Sequence, residues 1–283
     1  MLIADKWKDY ECIDTSNGEK LERWGNIILC RPDPQVIWDH RAAPERWGSA
    51  NARYKRSSSG GGEWSYRTKL PESWQVRYGD LTFNIKPMGF KHTGLFPEQA
   101  VNWDWMREKL RSRGRGAKVL NLFAYTGGAS VACAAEGANV THVDASKGMV
   151  AWAKENAVSS GVDGIRYFVD DCIKLVEREI RRGNKYDGII MDPPSYGRGP
   201  GGEVWKLEDS LFAFIQRAAL LLSDDPLFFV LNSYTTGLQP GVLKNIMSLT
   251  LPKGNITADE IGLPITASGL ILPCGATGRY CPE

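Results

Sequence analysis

No apolar run in the 283-residue chain approaches the roughly 18 residues needed to cross a bilayer. Its acidic, Trp-containing start, Met1 to Glu11, has no apolar core of a secretory signal. No membrane partner is expected, and the expected location is the cytoplasm. The six cysteines (Cys12, Cys30, Cys133, Cys172, Cys274 and Cys281) show neither a paired zinc spacing nor the density of a disulfide scaffold. They read as reduced thiols, and no metal site is expected. Charge of one sign is also lacking: a formal +2 is too mild to mark a nucleic-acid partner by itself, so any basic footprint must be local. There is no repeat of fixed period, and no low-complexity segment beyond Ser57 to Gly62.

What is present is an ordinary globular composition, 42% hydrophobic and 24% charged, on a chain long enough for a large domain and a small one. From Asn26 to Pro87 the sequence is broken by Pro, Gly and Ser. Short alternating runs there, such as Gly25 to Cys30 and Leu81 to Ile85, read as strands. After Lys91, apolar runs alternate with helical patterns, the signature of a parallel sheet covered by helices. Strands are predicted at Lys118 to Leu122, Asn139 to Asp144, Ile165 to Asp170, Tyr186 to Met191 and Leu227 to Leu231. Helices are predicted at Asn102 to Leu110, Gly128 to Glu136, Lys147 to Ser159, Cys172 to Arg182, Glu208 to Leu222 and Pro240 to Leu249. Two further strands, Ile256 to Ile261 and Gly269 to Leu272, are expected as an antiparallel edge. The fold class is therefore α/β and Rossmann-like, a mostly parallel seven-stranded sheet with helices on both faces, over residues 89–283. A small β-rich domain occupies residues 1–88.

The first predicted strand runs into Asn121-Leu122-Phe123-Ala124-Tyr125-Thr126-Gly127-Gly128 and then a helix of small residues. Glycine admits close approach of a ligand to the backbone, and ligands of open α/β sheets lie beyond the carboxyl ends of the strands. A nucleoside belongs here, although a plain tight turn would read the same. The next strand ends in Asp144, whose carboxylate can accept from both ribose hydroxyls or cap the helix that starts near Ser146. The third ends in Asp170-Asp171-Cys172: Asp171 can accept from an adenine amino group while the Cys172 amide donates to a ring nitrogen, or it can cap a helix. The dinucleotide fingerprint G-x-G-x-x-G is missing, which suits a cofactor without phosphates.

The fourth strand runs into Asp192-Pro193-Pro194-Ser195-Tyr196. Two prolines fix φ, so Asp192 and the neighbouring carbonyls are held as a rigid acceptor able to orient a nucleophile. In this order, the four strand ends resemble the motifs of class I S-adenosylmethionine-dependent methyltransferases. More narrowly, from about Gly89 to the C-terminus the chain resembles the bacterial 23S ribosomal RNA large-subunit (cytosine-C5) methyltransferase group.

The resemblance implies S-adenosylmethionine as cofactor. It implies that Asn121, Phe123, Ala124, Tyr125, Thr126, Gly127, Asp144, Ala145, Ser146, Asp171, Cys172 and Asp192 hold it. It adds Thr93, Phe96 and Gln99 from the segment Lys91 to Gln99, and gives Asp192, Pro193, Pro194 and Tyr196 the catalytic part. Two departures stand out. No RNA-binding module of the PUA type is matched in Met1 to Pro87. The segment after the fifth strand reads Leu231-Asn232-Ser233-Tyr234-Thr235, without the cysteine that carbon-5 methylation needs. Cys274 is the one late cysteine left for that part. Transfer to an exocyclic amine needs no thiolate.

The basic stretch Arg41 to Lys69 is interleaved with tryptophans: Trp7, Trp24, Trp38, Trp47, Trp64 and Trp74 all precede Pro87. Such a pattern can hold single-stranded RNA, and it can equally supply the core of a small β domain. The run Arg107 to Lys118, with Lys109, Arg111, Arg113 and Arg115, is either an extension of the patch or a solvated helix face. An RNA methyltransferase acting on ribosomal RNA is expected. Methylation of a protein or small molecule, or RNA or nucleotide binding without turnover, are the alternatives.

Overall fold

The computed structural model describes residues 1–57, 61–198 and 204–283. Half of the Ser/Gly tract, residues 58–60, and residues 199–203 lie outside the described residues. The chain divides into two compact units: Leu2–Ala100 with Ile261–Cys274, and Met1, Val101–Glu260 and Gly275–Glu283. The first therefore extends beyond residue 88 and takes in a piece of the tail.

The smaller unit holds β1 (Leu2–Ile3), β2 (Tyr10–Ser16), β3 (Glu19–Trp24), β4 (Ile27–Pro32), β5 (Ala52–Arg56), β6 (Gly62–Tyr66), β7 (Trp74–Tyr78) and β8 (Leu81–Ile85). Five of these form a sheet in the order β2-β3-β4-β5-β6, and β7 pairs with β8 as a hairpin. β2 and β3 are joined through Asn17 (φ 50°) and Gly18 (φ 77°). Positive φ at both positions is the two-residue turn whose twist matches a hairpin.

The six early tryptophans build this unit. Trp24 and Trp47 are buried and none of the six is in the exposed class. Five indole N–H groups donate internally: Trp7 to Pro97 O, Trp38 to Thr15, Trp47 to Asp14, Trp64 to Met88 O and Trp74 to Trp24 O. At the centre, Glu22, wholly buried, accepts from both Arg31 (2.6 and 2.9 Å) and Tyr10 (2.7 Å).

The larger unit contains α1 (Ala100–Arg113), β9 (Lys118–Leu122), α2 (Gly128–Ala135), β10 (Asn139–Asp144), α3 (Lys147–Ser159), β11 (Ile165–Val169), α4 (Cys172–Arg181) and β12 (Gly188–Met191). These are followed by β13 (Tyr196–Arg198), β14 (Val204–Lys206), α5 (Leu207–Ala219), β15 (Phe228–Ser233), α6 (Pro240–Thr250), β16 (Asn255–Pro264) and β17 (Ile271–Cys281), of which the part of β16 from Ile261 and the part of β17 up to Cys274 belong to the smaller unit. The sheet order is β16-β17-β15-β12-β9-β10-β11. It is parallel from β15 to β11, and β17 runs antiparallel to β15. β1 adds beside β16 through Leu2↔Ile261 and Ile3↔Gly262, a pairing that lies within the smaller unit. Every residue of β12 and β15 is buried, as strands covered on both faces must be. Leu120, Ile189, Phe229 and Leu231 pack with Leu211, Phe214, Ile215 and Met247 in one core.

The expected antiparallel edge is corrected. β17 is longer than predicted, starts at Ile271 rather than Gly269, and lies inside the sheet between β15 and β16. Its glycines conceal it. A Cβ on Gly275 would stand 2.8 Å from Ser233 O, and one on Gly278 would stand 2.3 Å from Met247 Sδ. Those positions require glycine in a strand, whereas in sequence they read as a turn. The run around α1 is a paired face: Arg107 and Arg111 both bind Glu136, and Arg113 binds Asp225.

Candidate active site

β9 ends at Leu122, and the chain turns through Phe123–Gly127 before α2 begins. Phe123 and Tyr125 carry φ of 56° and 51°, and Gly127 carries 82°. Left-handed backbone costs a residue with a Cβ about 1–2 kcal/mol, so the surroundings must hold this loop. They do so from three elements. Phe123 N donates to Cys172 Sγ (3.3 Å), Ala124 N to Val143 O (3.0 Å) and Tyr125 N to Asp144 Oδ2 (2.9 Å). Asn156 of α3, fully buried, donates to Thr126 O (2.8 Å). Gly127 sits so close to α3 that a Cβ there would stand 2.9 Å from the Cβ of Ala153.

Asp144, half-buried at the end of β10, also accepts from Ser146 N at 2.8 Å. Burial pushes its carboxyl up from the ordinary value, and the two amide bonds pull the other way. Each oxygen keeps a further lone pair for a ligand. Ser146 caps α3 through Met149 N, and Ala145 and Ser146 are exposed. Asp171 caps α4, its Oδ1 accepting from Lys174 N at 2.9 Å, and Asp170 pairs with Arg178. Helix capping, the alternative open for Asp171 in the sequence, is thus present. The Cys172 thiol is raised by burial, and its sulfur accepts from the loop.

Asn121 faces differently. Its side chain donates to Ser130 Oγ (2.9 Å), which lies 2.9 Å from His142 Nδ1, so it joins β9, α2 and β10 in one buried chain. His142 is pushed down to about 4 by burial. The ring of Phe123 packs against Trp205 and Phe214 at 5.4 and 5.9 Å.

The Asp192 amide lies 3.5 Å from Leu122 O, which ties the exit of β12 to that of β9. Pro194 O accepts from Trp205 Nε1 (2.7 Å), Ser195 O accepts from Leu207 N (3.1 Å), and the Ser195 and Thr235 hydroxyls are 2.6 Å apart. The Asp192-Pro193-Pro194 segment is therefore clamped on both sides. Tyr196 is 53% exposed and begins the β13–β14 hairpin. Trp205, Asn156 and Ser130 were missed in the sequence reading because only the fold joins them to the site, and Thr235 was quoted there only for the cysteine that its segment lacks.

The strand ends thus bring together Phe123–Gly127, Asp144, Asp171, Cys172 and Asp192. Thr93, Phe96 and Gln99 belong to the smaller unit. There Thr93 is fully buried with its hydroxyl unpartnered, Phe96 packs on His92 (5.5 Å), and Gln99 is buried in the turn Pro97–Gln99.

A family model described as S-adenosylmethionine-dependent methyltransferase matches residues 35–234. This chain belongs to the S-adenosylmethionine-dependent methyltransferases. The crystal structure of the SAM-dependent methyltransferase from Agrobacterium tumefaciens is 36% identical, with a TM-score of 0.94 over 100% of this chain and 93% of that one. SMU.776 complexed with SAH shares the fold at a TM-score of 0.72 and 20% identity, over 97% of this chain and 76% of that one.

Among curated relatives, ribosomal RNA large subunit methyltransferase K/L of Shewanella frigidimarina is 37% identical over 131 residues, 45% of this chain and 17% of that protein. The protein of the same name from Shewanella sp. strain W3-18-1 is 32% identical over 194 residues, 62% of this chain and 26% of that protein. The chain therefore spans about a quarter or less of the length of these relatives. The methyltransferase family and fold read in the sequence are those found, and the cofactor is S-adenosylmethionine.

Cys12, Cys30, Cys133 and Cys172 are buried. Cys274 is held well above the ordinary thiol range by burial and by Glu98, and its Sγ lies 3.4 Å from Leu272 O. Among the described residues no group of His, Cys, Asp and Glu is arranged to hold a metal. No helix of the described residues is long and apolar enough to cross a membrane.

Proposed function

We propose that the protein transfers the methyl group of S-adenosylmethionine to a nitrogen of a base in ribosomal RNA. The observation that carries the cofactor half of this reading is the strained Phe123–Gly127 loop bound to Asp144. Gly127 has no room for a side chain because Ala153 of α3 presses on it, and that packing fixes the loop beside Asp144. Asp144 would accept from the ribose hydroxyls. Asp171 Oδ2, beside the oxygen that caps α4, would accept from the adenine amino group, with the Cys172 amide donating to the ring. Phe123, Ala124, Tyr125, Thr126 and Gly127 would line the cofactor through the loop, flanked by Ala145 and Ser146, and Asn121 would act by fixing α2. Thr93, Phe96 and Gln99 are the further cofactor residues that the resemblance implies.

When bound, the cofactor supplies an electrophilic methyl group on a sulfonium. The chain's own part is orientation. Asp192, with the carbonyls fixed by Pro193 and Pro194, would accept from the hydrogens of an amine and align its lone pair, which gains rate by placing the nucleophile before reaction. Tyr196 would contact the base from the hairpin. A nitrogen acceptor is favoured over carbon 5 because the adduct route needs a thiolate, and burial keeps the Cys274 thiol protonated. The ribosomal RNA substrate is supported by the names of the Shewanella relatives.

The test is transfer of a tritiated methyl group to RNA from cells lacking the protein, followed by nucleoside analysis. A label on a base nitrogen is expected. Labelled protein with unlabelled RNA would defeat the substrate, and 5-methylcytosine would defeat the nitrogen acceptor.

A further inference from the structure

In the smaller unit, the segment from Lys86 to Thr93 closes on itself through Lys86 N to Thr93 O (3.2 Å) and Met88 N to His92 O (3.3 Å). Its tip is Gly89-Phe90-Lys91. The tip is fixed to the β5–β6 hairpin, since Trp64 Nε1 donates to Met88 O (2.7 Å) and Tyr54 OH lies 3.5 Å from Gly89 O. Arg31 Nη1 holds it from below through Lys91 O (3.0 Å). On this anchored tip Phe90 is 61% exposed. The bonds of the loop hold this ring out of the core with one face open to a planar partner.

The charges around it are unbalanced. Arg31 is matched by Glu22, and Lys20 by Asp33 and Glu22. Arg56 is exposed at the end of β5, and the half-buried Lys91 is acted on by Asp33, which is already paired with Lys20. Lys91 is pushed down to about 8 by burial and by Lys20, Arg56 and Arg31, although Asp33 opposes them. His92 is driven to about 4 by burial and by the same cations with Lys91. Lys20, Arg31, Arg56 and Lys91 outnumber the carboxylates of Glu22, Asp33 and Glu98 that act on them, and a surplus of cations describes a place for an anion.

We propose that Phe90 is a stacking platform for one base of single-stranded RNA, and that Lys91 and Arg56 hold the adjoining phosphate. The proposal rests on the RNA reading above and gives it a location in the smaller unit. Stacking accepts any base face, and a phosphate supplies the charge that Lys91 and Arg56 lack. A duplex keeps its bases stacked on one another and offers Phe90 nothing.

The test is fluorescence anisotropy of the full chain with a labelled single-stranded RNA 12-mer of mixed sequence and with its duplex, over a salt series. Phe90→Ala should weaken single-strand binding by roughly 5- to 100-fold, and Phe90→Tyr should restore it. Duplex binding and the calorimetric affinity for S-adenosylmethionine should not change. Lys91→Ala should reduce the slope of log affinity against log salt by about 0.7. Unchanged single-strand binding by Phe90→Ala, or an equal loss for the duplex, overturns the stacking platform and leaves the RNA substrate standing. An unchanged slope in Lys91→Ala overturns the phosphate contact. Absence of RNA binding by the wild-type protein defeats the substrate reading itself, and this inference with it.

Discussion

Replacing Gly127 by alanine tests whether the loop after β9 is a built cradle or an ordinary turn. Two penalties act there. A residue with a Cβ at φ 82° pays about 1–2 kcal/mol for left-handed backbone. The new methyl would also stand 2.9 Å from the Cβ of Ala153 and 3.5 Å from His142 Cε1. Relieving that contact means moving α3 or the loop, an overpacking cost of about 1–3 kcal/mol. Together they give about 2–5 kcal/mol.

Gly161→Ala supplies the control, since Gly161 has φ 64° with nothing within 4 Å of its added Cβ. It should lose only the backbone part, about 1–2 kcal/mol. Urea unfolding would measure both, and titration calorimetry would follow the cofactor. Gly127→Ala should weaken S-adenosylmethionine binding strongly, because the loop can yield only by breaking the Tyr125–Asp144 or Asn156–Thr126 bond. Gly161→Ala should bind it normally. Equal stability losses in the two variants, with unchanged cofactor affinity in both, would refute the cradle.

Three further outcomes are expected. Asp192→Asn should lower the turnover of methyl transfer by about 10²- to 10³-fold, and a turnover near wild type would remove Asp192 from the reaction. His142, fully buried, has a pKa of about 4 against an ordinary 6.5. The unfolded chain takes up the proton first, so stability is complete above pH 6.5 and falls as the pH drops toward 4, by about 3 kcal/mol at 1.36 kcal/mol per pKa unit. His142→Gln should flatten that limb of a urea-midpoint profile, and an identical slope would show that His142 does not cause it. Glu22→Gln should destabilise the smaller unit by about 3–5 kcal/mol, read by tryptophan fluorescence, because Arg31 is left buried against a neutral partner. A loss below about 1 kcal/mol would mean that water reaches the pair.

The part of the molecule legible in the sequence is the part whose pattern is local. Parallel strands covered on both faces must be continuous apolar runs, and β9, β10, β11, β12 and β15 are found within a few residues of their predicted places. The carboxylates that end three of them, Asp144, Asp171 and Asp192, could be read for the same reason: a polar residue just past an apolar run lies at a strand end. The turn Asn17-Gly18 also carried a local signal, and the β2–β3 hairpin was available from it.

What grips the site is not local. Thr126 is held by Asn156, Phe123 by the sulfur of Cys172, and Pro194 by Trp205, each pairing made only when the sheet has assembled. The tryptophans before Pro87 show the ambiguity of composition: the same Trp and Arg pattern suits a base-stacking surface and a small core, and five of the six indoles are spent on internal carbonyls or side chains. The exposed aromatics described in that unit are Tyr66 and Phe90, which the count of tryptophans could not reveal.

β17 is the clearest case of the opposite kind. Strand patterns are read from alternating side chains, and at Gly275 and Gly278 packing against Ser233, Tyr234 and Met247 forbids any side chain at all. The closer a strand is pressed by its neighbours, the less its own sequence can announce it. A central strand can therefore look like a turn until the residues that crowd it are known.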